Sequence, residues 1–547
     1  MHVNTLKVHA SDNIIVALRD LNKGETVATA GASYLIKEVI PAKHKFAAKD
    51  FEVGDLIIMY GLVIGQAFQS IKAGELISVD NVKHATKPAV IADSFNYQWQ
   101  PPQVEEGRTF MGYHRSDGQV GTRNVWLVVP LVFCENRNIL EIKRQLEPYL
   151  GYNSPDFDQL GELVHLGSQG ASVNDIQNYG LNLSDAPLAL DRPFKNVDGV
   201  KFITHHAGCG GTRADAERFC RMLAGYLLNP NVGGATILSL GCQNAQISLF
   251  EEILAQMAPA FDKPVYIHEQ QQSASEKAFI ADAVKSTVAG LSQINQIKRA
   301  PASIKHLVVG LECGGSDGFS GISANPLLGK ISDRVVAAGG TAILAEFPEL
   351  NGVEQNILDR CVNKSDALNF KRLMEEYGLK AKAAGSGFEF NPSPGNIKDG
   401  LITDAMKSAG AAKKGGEAPI QQVLDFTEQL NFRGLNLLCT PGNDVESTTA
   451  LAASGTNLIL FSTGLGTPTG NPAAPVIKVS SNSVLAKRMS DIIDFDAGTI
   501  IDGQQTMEQA ADDLLELMIR IASGQEYSCS EVLGQEDFIP WRQDLSL

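Results

Sequence analysis

The stretch Val200-Lys201-Phe202-Ile203-Thr204-His205-His206-Ala207-Gly208-Cys209-Gly210-Gly211 decides the architecture. It opens as a strand-length apolar run and ends in a loop that frames one cysteine with glycines. The pattern recurs along the chain. Ala235–Leu240 runs into Gly241-Cys242-Gln243-Asn244, and Ile304–Leu311 runs into Glu312-Cys313-Gly314-Gly315-Ser316-Asp317-Gly318. Val125–Val132 stops close to Cys134-Glu135-Asn136. Further strand candidates, Thr341–Ala345, Leu435–Leu438 and Asn457–Phe461, alternate with helical patterns. Ser273-Ala274-Ser275-Glu276 fits a capping box, Asn325-Pro326 opens a helix that Gly339-Gly340 closes, and Thr506–Gly524 forms a last amphipathic helix. Such alternation predicts an α/β body with largely parallel sheets, in which ligands bind outside the carboxyl ends of strands.

The first ninety residues read differently. Three related turns, Leu21-Asn22-Lys23-Gly24-Glu25, Phe51-Glu52-Val53-Gly54-Asp55 and Ile71-Lys72-Ala73-Gly74-Glu75, are each followed by β-prone residues. They predict a small all-β module over 1–90. A polar linker over 91–108, with Pro101-Pro102 and Glu105-Glu106, separates it from the body. The body divides into an α/β domain over 109–299, carrying Cys134, Cys209 and Cys242, and a second over 300–547, carrying Cys313.

With 547 residues, 44% hydrophobic and 20% charged, the chain has ample material for several cores and is not a disordered polymer. Its 62 acidic residues against 46 basic ones give a net charge of −16, which argues against non-specific nucleic-acid binding. No apolar run is long enough to span a membrane, and Met1–Lys7 lacks the apolar centre of a secretory signal. Eight cysteines are too few for a disulfide framework and read as reduced thiols of a cytoplasmic protein.

A single cysteine is most often a small buried hydrophobe, and Cys220 and Cys361, inside helical patterns, read that way. Glycine-framed thiols at the ends of separate strands instead suit a soft metal or an iron–sulfur cluster. His9 and His44 in the β module are surface residues, metal ligands or bases. Arg123 offers a carboxylate anchor. The loops Ser462–Gly470 and Asn391–Asn396 supply donors for a hydroxylated or anionic ligand. No Walker A sequence is present, and no dinucleotide fingerprint follows the first α/β strand.

Together these motifs resemble the altronate/galactarate dehydratase family. The resemblance rests on Gly112-Tyr113-His114-Arg115-Ser116-Asp117-Gly118, Val120-Gly121-Thr122-Arg123-Asn124, Gly208-Cys209-Gly210, Leu240-Gly241-Cys242, Cys313–Gly321 and Asn391–Asn396, in family order. Cys134-Glu135-Asn136-Arg137-Asn138 and Thr440–Glu446 bring the chain nearest to altronate dehydratases. Two departures stand out: Gln243 where many relatives carry Glu, and His205-His206 where Gly or Asn is commoner.

The resemblance implies a SAF (β-clip) module fused to a catalytic body. It implies an iron-dependent hydro-lyase, with Fe2+ or an iron–sulfur cluster, acting on a small sugar acid such as D-altronate, with galactarate as the alternative. On this reading His9, His44, Arg123 and Asp317 are catalytic candidates, and Ser316, Ser320, Thr463 and Thr467 bind substrate. Cys134, Cys209, Cys242 and Cys313 hold the metal. A homo-oligomer is compatible with the sequence. A non-catalytic sugar-acid-binding protein and an iron-dependent oxidoreductase remain the alternatives of other classes.

Overall fold

Three copies of one turn shape the N-terminal region. In Asn22–Glu25, Glu52–Asp55 and Lys72–Glu75 the closing carboxylate accepts the N–H of the first residue at 3.1, 2.9 and 2.7 Å. The intervening Gly24, Gly54 and Gly74 have φ of +85°, +99° and +86°, a backbone that glycine adopts without a Cβ clash. The turns connect short antiparallel strands running from Thr5–Leu6 to Val82–Lys83. Along Ile14–Ala17 successive side chains face opposite ways. Ile15 and Ala17 join Phe46 in a core private to the module, whereas Ile14 and Val16 join a core that continues into the C-terminal domain through Leu311 and Met406. The module therefore docks on the body by a buried apolar face.

The structure, a computed structural model, describes residues 4–29, 31–152, 159–181 and 192–543. Residues 84–108 carry no strand or helix and run along the C-terminal domain, where the Tyr97 hydroxyl donates to the Glu417 carbonyl at 2.9 Å. Thr109–His114 then pairs antiparallel with Ala300–Ser303, closing the ends of the middle domain on each other.

The middle domain is built on a four-stranded parallel sheet, in the spatial order Gly199–Phe202, Val125–Pro130, Val232–Ser239, Val265–Glu269. The C-terminal domain has a seven-stranded parallel sheet ordered Ile420–Leu424, Gly434–Leu438, Thr341–Leu344, Val308–Cys313, Leu458–Thr463, Val476–Ser480, Phe495–Asp496. One apolar core spans both domains, joining Val125 and Ile237 to Ile343 and Leu451. The protein is thus a multidomain α/β chain led by an all-β module.

Three local expectations need correction. The helix Glu276–Ile294 is capped by Ser275, whose side chain accepts from the Ala278 N–H, rather than by Ser273. The helix Ala324–Ala337 follows Ser323, so Asn325 and Pro326 lie inside its first turn. Ile304–His306 forms a 3-10 turn, and the strand begins at Val308 and ends on Cys313 itself. The last shift changes the fate of that cysteine.

Candidate active site

Because the middle sheet is parallel, the ends of Gly199–Phe202, Val125–Pro130 and Val232–Ser239 emerge side by side. The chain leaves Val125–Pro130 towards one neighbour and Val232–Ser239 towards the other, which makes this edge a topological switch point. The loops beyond the three strands carry Cys134, Cys209 and Cys242, all free and exposed. Backbone bonds knit them together: Phe133 N–H to the Ala207 carbonyl at 3.0 Å, and Asn244 N–H to the Gly208 carbonyl at 3.1 Å. The Asn136 amide donates to the His205 carbonyl at 2.7 Å. Gly208 sits at φ +95°, and a Cβ there would lie 2.0 Å from the Leu131 carbonyl oxygen, so only glycine allows this approach. Partial burial, and then the neighbouring Cys209 and Cys242, push the Cys134 thiol up.

Cys313 does not join them. As the last residue of its strand it turns into the protein interior, where its Sγ accepts from Lys414 Nζ at 2.8 Å and donates to Glu349 Oε2 at 3.0 Å. Around it stands a second cluster, built by the same device, from the ends of Val308–Cys313, Thr341–Leu344 and Gly434–Leu438. Glu346, held at φ +65°, accepts from the Cys313 N–H and from Lys414. Lys407 reaches Glu349 at 2.7 Å and Asn391 at 2.6 Å, and Ser447 donates to Glu312 at 2.6 Å.

Burial pushes the Glu312 carboxyl and the Cys313 thiol far up. Burial would raise Glu349 too, but the Lys407 and Lys414 ammonium groups outweigh it and hold that carboxylate low. Asp444, at the rim, is pushed up to about 7 by burial and by the charges of Glu346 and Glu349.

Two donor sets could hold a metal. Glu312, Glu346 and Asp444 each offer an oxygen within 4.8 Å of the others, as do Cys313, Glu346 and Glu349 with one atom each. Glu312 Oε1 and Glu346 Oε1 are buried and accept from no other group, and the two carboxyls share a proton. The three exposed sulfurs do not all lie within that limit of one another. A single tetrahedral ion with metal–sulfur bonds of about 2.3 Å would need sulfurs about 3.8 Å apart. Their soft donor chemistry is that of iron–sulfur cluster ligands.

Three family models match in succession. They are described as Altronate/galactarate dehydratase SAF domain over residues 3–85, D-galactarate dehydratase/Altronate hydrolase, second domain, over 112–295, and D-galactarate/Altronate dehydratase, C-terminal, over 304–546. The chain is 33% identical over 535 residues to an altronate dehydratase of Escherichia coli (strain K12), covering 96% of each chain. The chain belongs to the altronate/galactarate dehydratase family. An altronate dehydratase of Bacillus subtilis (strain 168) is 33% identical over 529 residues, 95% of each chain. The galactarate dehydratase (L-threo-forming) of Escherichia coli (strain K12) is 30% identical over 537 residues, 97% of this chain and 94% of the relative.

Apart from Gly112–Gly118 and Val120–Asn124, the family motifs sort onto the two clusters. Cys134–Asn138, Gly208–Gly210 and Gly241–Cys242 form the thiol site, and Cys313–Gly314, Asn391 and Thr440–Glu446 surround the buried one. A cavity of about 530 Å³ lies next to the second cluster, lined by Pro348 and Asn443, the chain neighbours of Glu349 and Asp444, by Asn391, which accepts from Lys407, and by Glu446 and Lys380. Trp541 and Arg542 line both this cavity and a smaller one that opens beside Cys209.

Other expected site residues are committed elsewhere. Arg123, 2% exposed, forks onto Glu531 at 2.6 and 2.8 Å and also donates to the Thr122 and Ile521 carbonyls. Four of its five N–H groups are thus engaged within the protein. Asp317 accepts from the Phe319 and Ser320 N–H groups, the Ser320 and Ser481 hydroxyls, Asn482 and Lys43, so its oxygens are saturated. Ser320 is spent on that contact, and Thr463 Oγ1 caps a turn by accepting from the Gly466 and Thr467 N–H groups. Ser316 is buried, and Thr467 packs over Gly315.

His44 stands half-buried at the junction of module and body, its pKa lowered first by burial. His9 bonds Ser11 at 2.8 Å and packs on Gly61 within the module. Gln243 braces its own loop, accepting from the Gly241 N–H at 2.8 Å and donating to the Ser239 hydroxyl at 2.6 Å. Sequence reasoning missed Glu346, Glu349, Lys407 and Lys414. The signal for two of them was Glu346-Phe347-Pro348-Glu349 directly after an apolar strand.

Proposed function

We propose that the protein is a sugar-acid hydro-lyase that converts D-altronate to 2-dehydro-3-deoxy-D-gluconate and water with an iron centre. The observation that carries this reading is the convergence of most of the family motifs on two polar clusters, beside each of which lies a cavity lined by Trp541 and Arg542. The relatives named altronate dehydratase, aligned over nearly their whole length, point to the hexonate.

Dehydration removes a proton beside a carboxylate and expels hydroxide from the next carbon, so it needs a base, an acid and stabilisation of an enediolate. Cys134, Cys209 and Cys242 hold the iron on this reading, as an iron–sulfur cluster with three protein thiolates. Bound there, iron supplies the Lewis acid for the substrate oxygens. Lys380 and Arg542 provide positive charge for the carboxylate in the cleft. On this reading Asp444 and Lys407, in the buried cluster next to that cleft, take and return the proton. Lys414 and Lys407 pair with Glu346 and Glu349 and so offset the charge of the buried carboxylates.

A second reading puts Fe2+ on Glu312, Glu346 and Asp444, whose oxygens lie within 4.8 Å of one another, in place of the proton that Glu312 and Glu346 otherwise share. One experiment separates the readings. Protein purified without oxygen is assayed for 2-keto acid from D-altronate and from galactarate, with iron and acid-labile sulfide measured beside it. Loss of iron in Cys209→Ser but not in Glu346→Gln supports the thiol site, and the reverse pattern overturns it. Faster turnover of galactarate at equal concentration overturns the substrate. Absence of keto acid from both substrates overturns the reaction.

A further inference from the structure

His205 is buried beneath the thiol site, and both of its ring nitrogens are spent on main chain. The Ala207 N–H donates to Nδ1 at 3.1 Å, so Nδ1 is the acceptor and the proton sits on Nε2. That Nε2–H donates to the Pro130 carbonyl at 2.6 Å, at the end of the strand that leads to Cys134. Ala207 belongs to the loop that leads to Cys209. The Asn136 side chain closes the bracket from the other side, donating to the His205 carbonyl at 2.7 Å and accepting the His205 N–H at 3.3 Å. Phe219, with its ring centre 4.5 Å away, and Phe538, at 6.2 Å, confine the imidazole. Burial lowers its pKa to about 4, so the neutral tautomer persists at neutral pH.

We propose that His205 is a positioning residue that ties the Cys209 loop to the Cys134 strand and thereby sets how firmly the three-cysteine site retains iron. The inference rests on the thiol-site reading given above. Metal ligands are oriented by such outer contacts, whose loss typically costs about 10–100-fold in metal affinity. The apolar wall around the ring already fits an aromatic side chain, so His205→Phe keeps the packing and removes both hydrogen bonds. His205→Gln supplies one acceptor and one donor in place of the two nitrogens.

The test uses the full chain purified without oxygen. Iron and sulfide per chain, the rate of iron release to a chelator and the electron paramagnetic resonance signal after reduction are compared, with thermal midpoints as the control for folding. His205→Phe should release iron about 10–100-fold faster and shift the signal, and His205→Gln should restore both towards wild type. Release unchanged in His205→Phe, or equally fast in both variants, overturns the bracket. Cys209→Ser separates the two failures. Iron lost in Cys209→Ser but kept in His205→Phe overturns His205 alone, while iron kept in Cys209→Ser overturns the thiol site and the bracket with it.

Discussion

Replacing Arg123 by Met decides whether this residue holds the fold or the substrate. Its guanidinium makes two bonds to Glu531, at 2.6 and 2.8 Å, and one each to the Thr122 and Ile521 carbonyls at 2.8 Å. Methionine keeps the stem and removes every donor. Glu531 is then stranded without its counter-charge, a loss of about 3–5 kcal/mol. Against the roughly 5–15 kcal/mol that holds an ordinary domain folded, this is severe. Changing Glu531 to Gln in the same chain removes the stranded charge, and the double variant should recover about 2 kcal/mol of coupling.

Burial would raise the Glu531 carboxyl, but Arg123 outweighs it and holds it below its ordinary value of 4.5. The folded form therefore binds that proton less readily than the unfolded chain. The stabilisation is complete above the ordinary carboxylate range and is lost as pH falls through the folded value. Arg123→Met should lack this acid slope. Urea unfolding at neutral and acid pH measures both effects, alongside the KM for D-altronate below the unfolding range. A variant as stable as wild type, with KM raised more than about tenfold, or 1.4 kcal/mol, refutes the fold-holding role and returns Arg123 to the substrate.

Further outcomes follow from the two clusters. Asp444→Asn should lower kcat by about 10²–10⁴-fold, as loss of a general acid or base does, with iron content unchanged; wild-type turnover would clear Asp444 of that role. Cys313→Ser should keep its iron when Cys134→Ser and Cys242→Ser lose theirs, read by metal analysis of anaerobic protein. Gly208→Ala places a Cβ 2.0 Å from the Leu131 carbonyl at φ +95°, so it should separate the Cys209 and Cys134 loops and release iron. Unchanged iron in that variant would show that the loops tolerate rearrangement.

The parallel sheets were legible because a glycine-framed cysteine after an apolar run is a local signal, and so was the module, whose turns repeat one four-residue chemistry. The grouping of the thiols was only half legible. Cys209, Cys242 and Cys313 look alike in sequence, each beside a glycine after an apolar run, but a strand boundary displaced by two residues separates a loop thiol from a buried one. Ile304–Leu311 reads as a strand, yet Ile304–His306 turns and the extended run continues to Cys313. Arg123 and Asp317 are ambiguous in sequence for another reason. A charged residue in a glycine-rich motif has the same appearance whether it meets a ligand or a partner far along the chain, as Arg123 meets Glu531 and Asp317 meets Lys43.

The two clusters use one construction and reach opposite electrostatic states. Each gathers side chains from three adjacent parallel strands, where the pairing distance of about 4.8 Å brings loops within reach of one another. In the C-terminal domain the donors lie at or just beyond the strand ends, so they are buried, and burial demands compensation. Lys407 and Lys414 supply it from outside the sheet, on a segment that packs across the strand ends. In the middle domain the cysteines sit farther out on exposed loops, where neutral thiols need no counter-ion. Buried His205 and Gln243 hold these loops through hydrogen bonds and carry no charge at neutral pH. A glutamate in place of Gln243 would add negative charge beside three thiols that, on the proposed reading, ionise to bind iron, and would leave the Ser239 hydroxyl without its amide donor. Gln243→Glu should therefore raise the thiol pKa values and weaken iron retention most as pH falls, where fewer thiolates form, measured by iron per chain after equilibration without oxygen. Retention equal to wild type across that range would show that charge at this position is indifferent to the site.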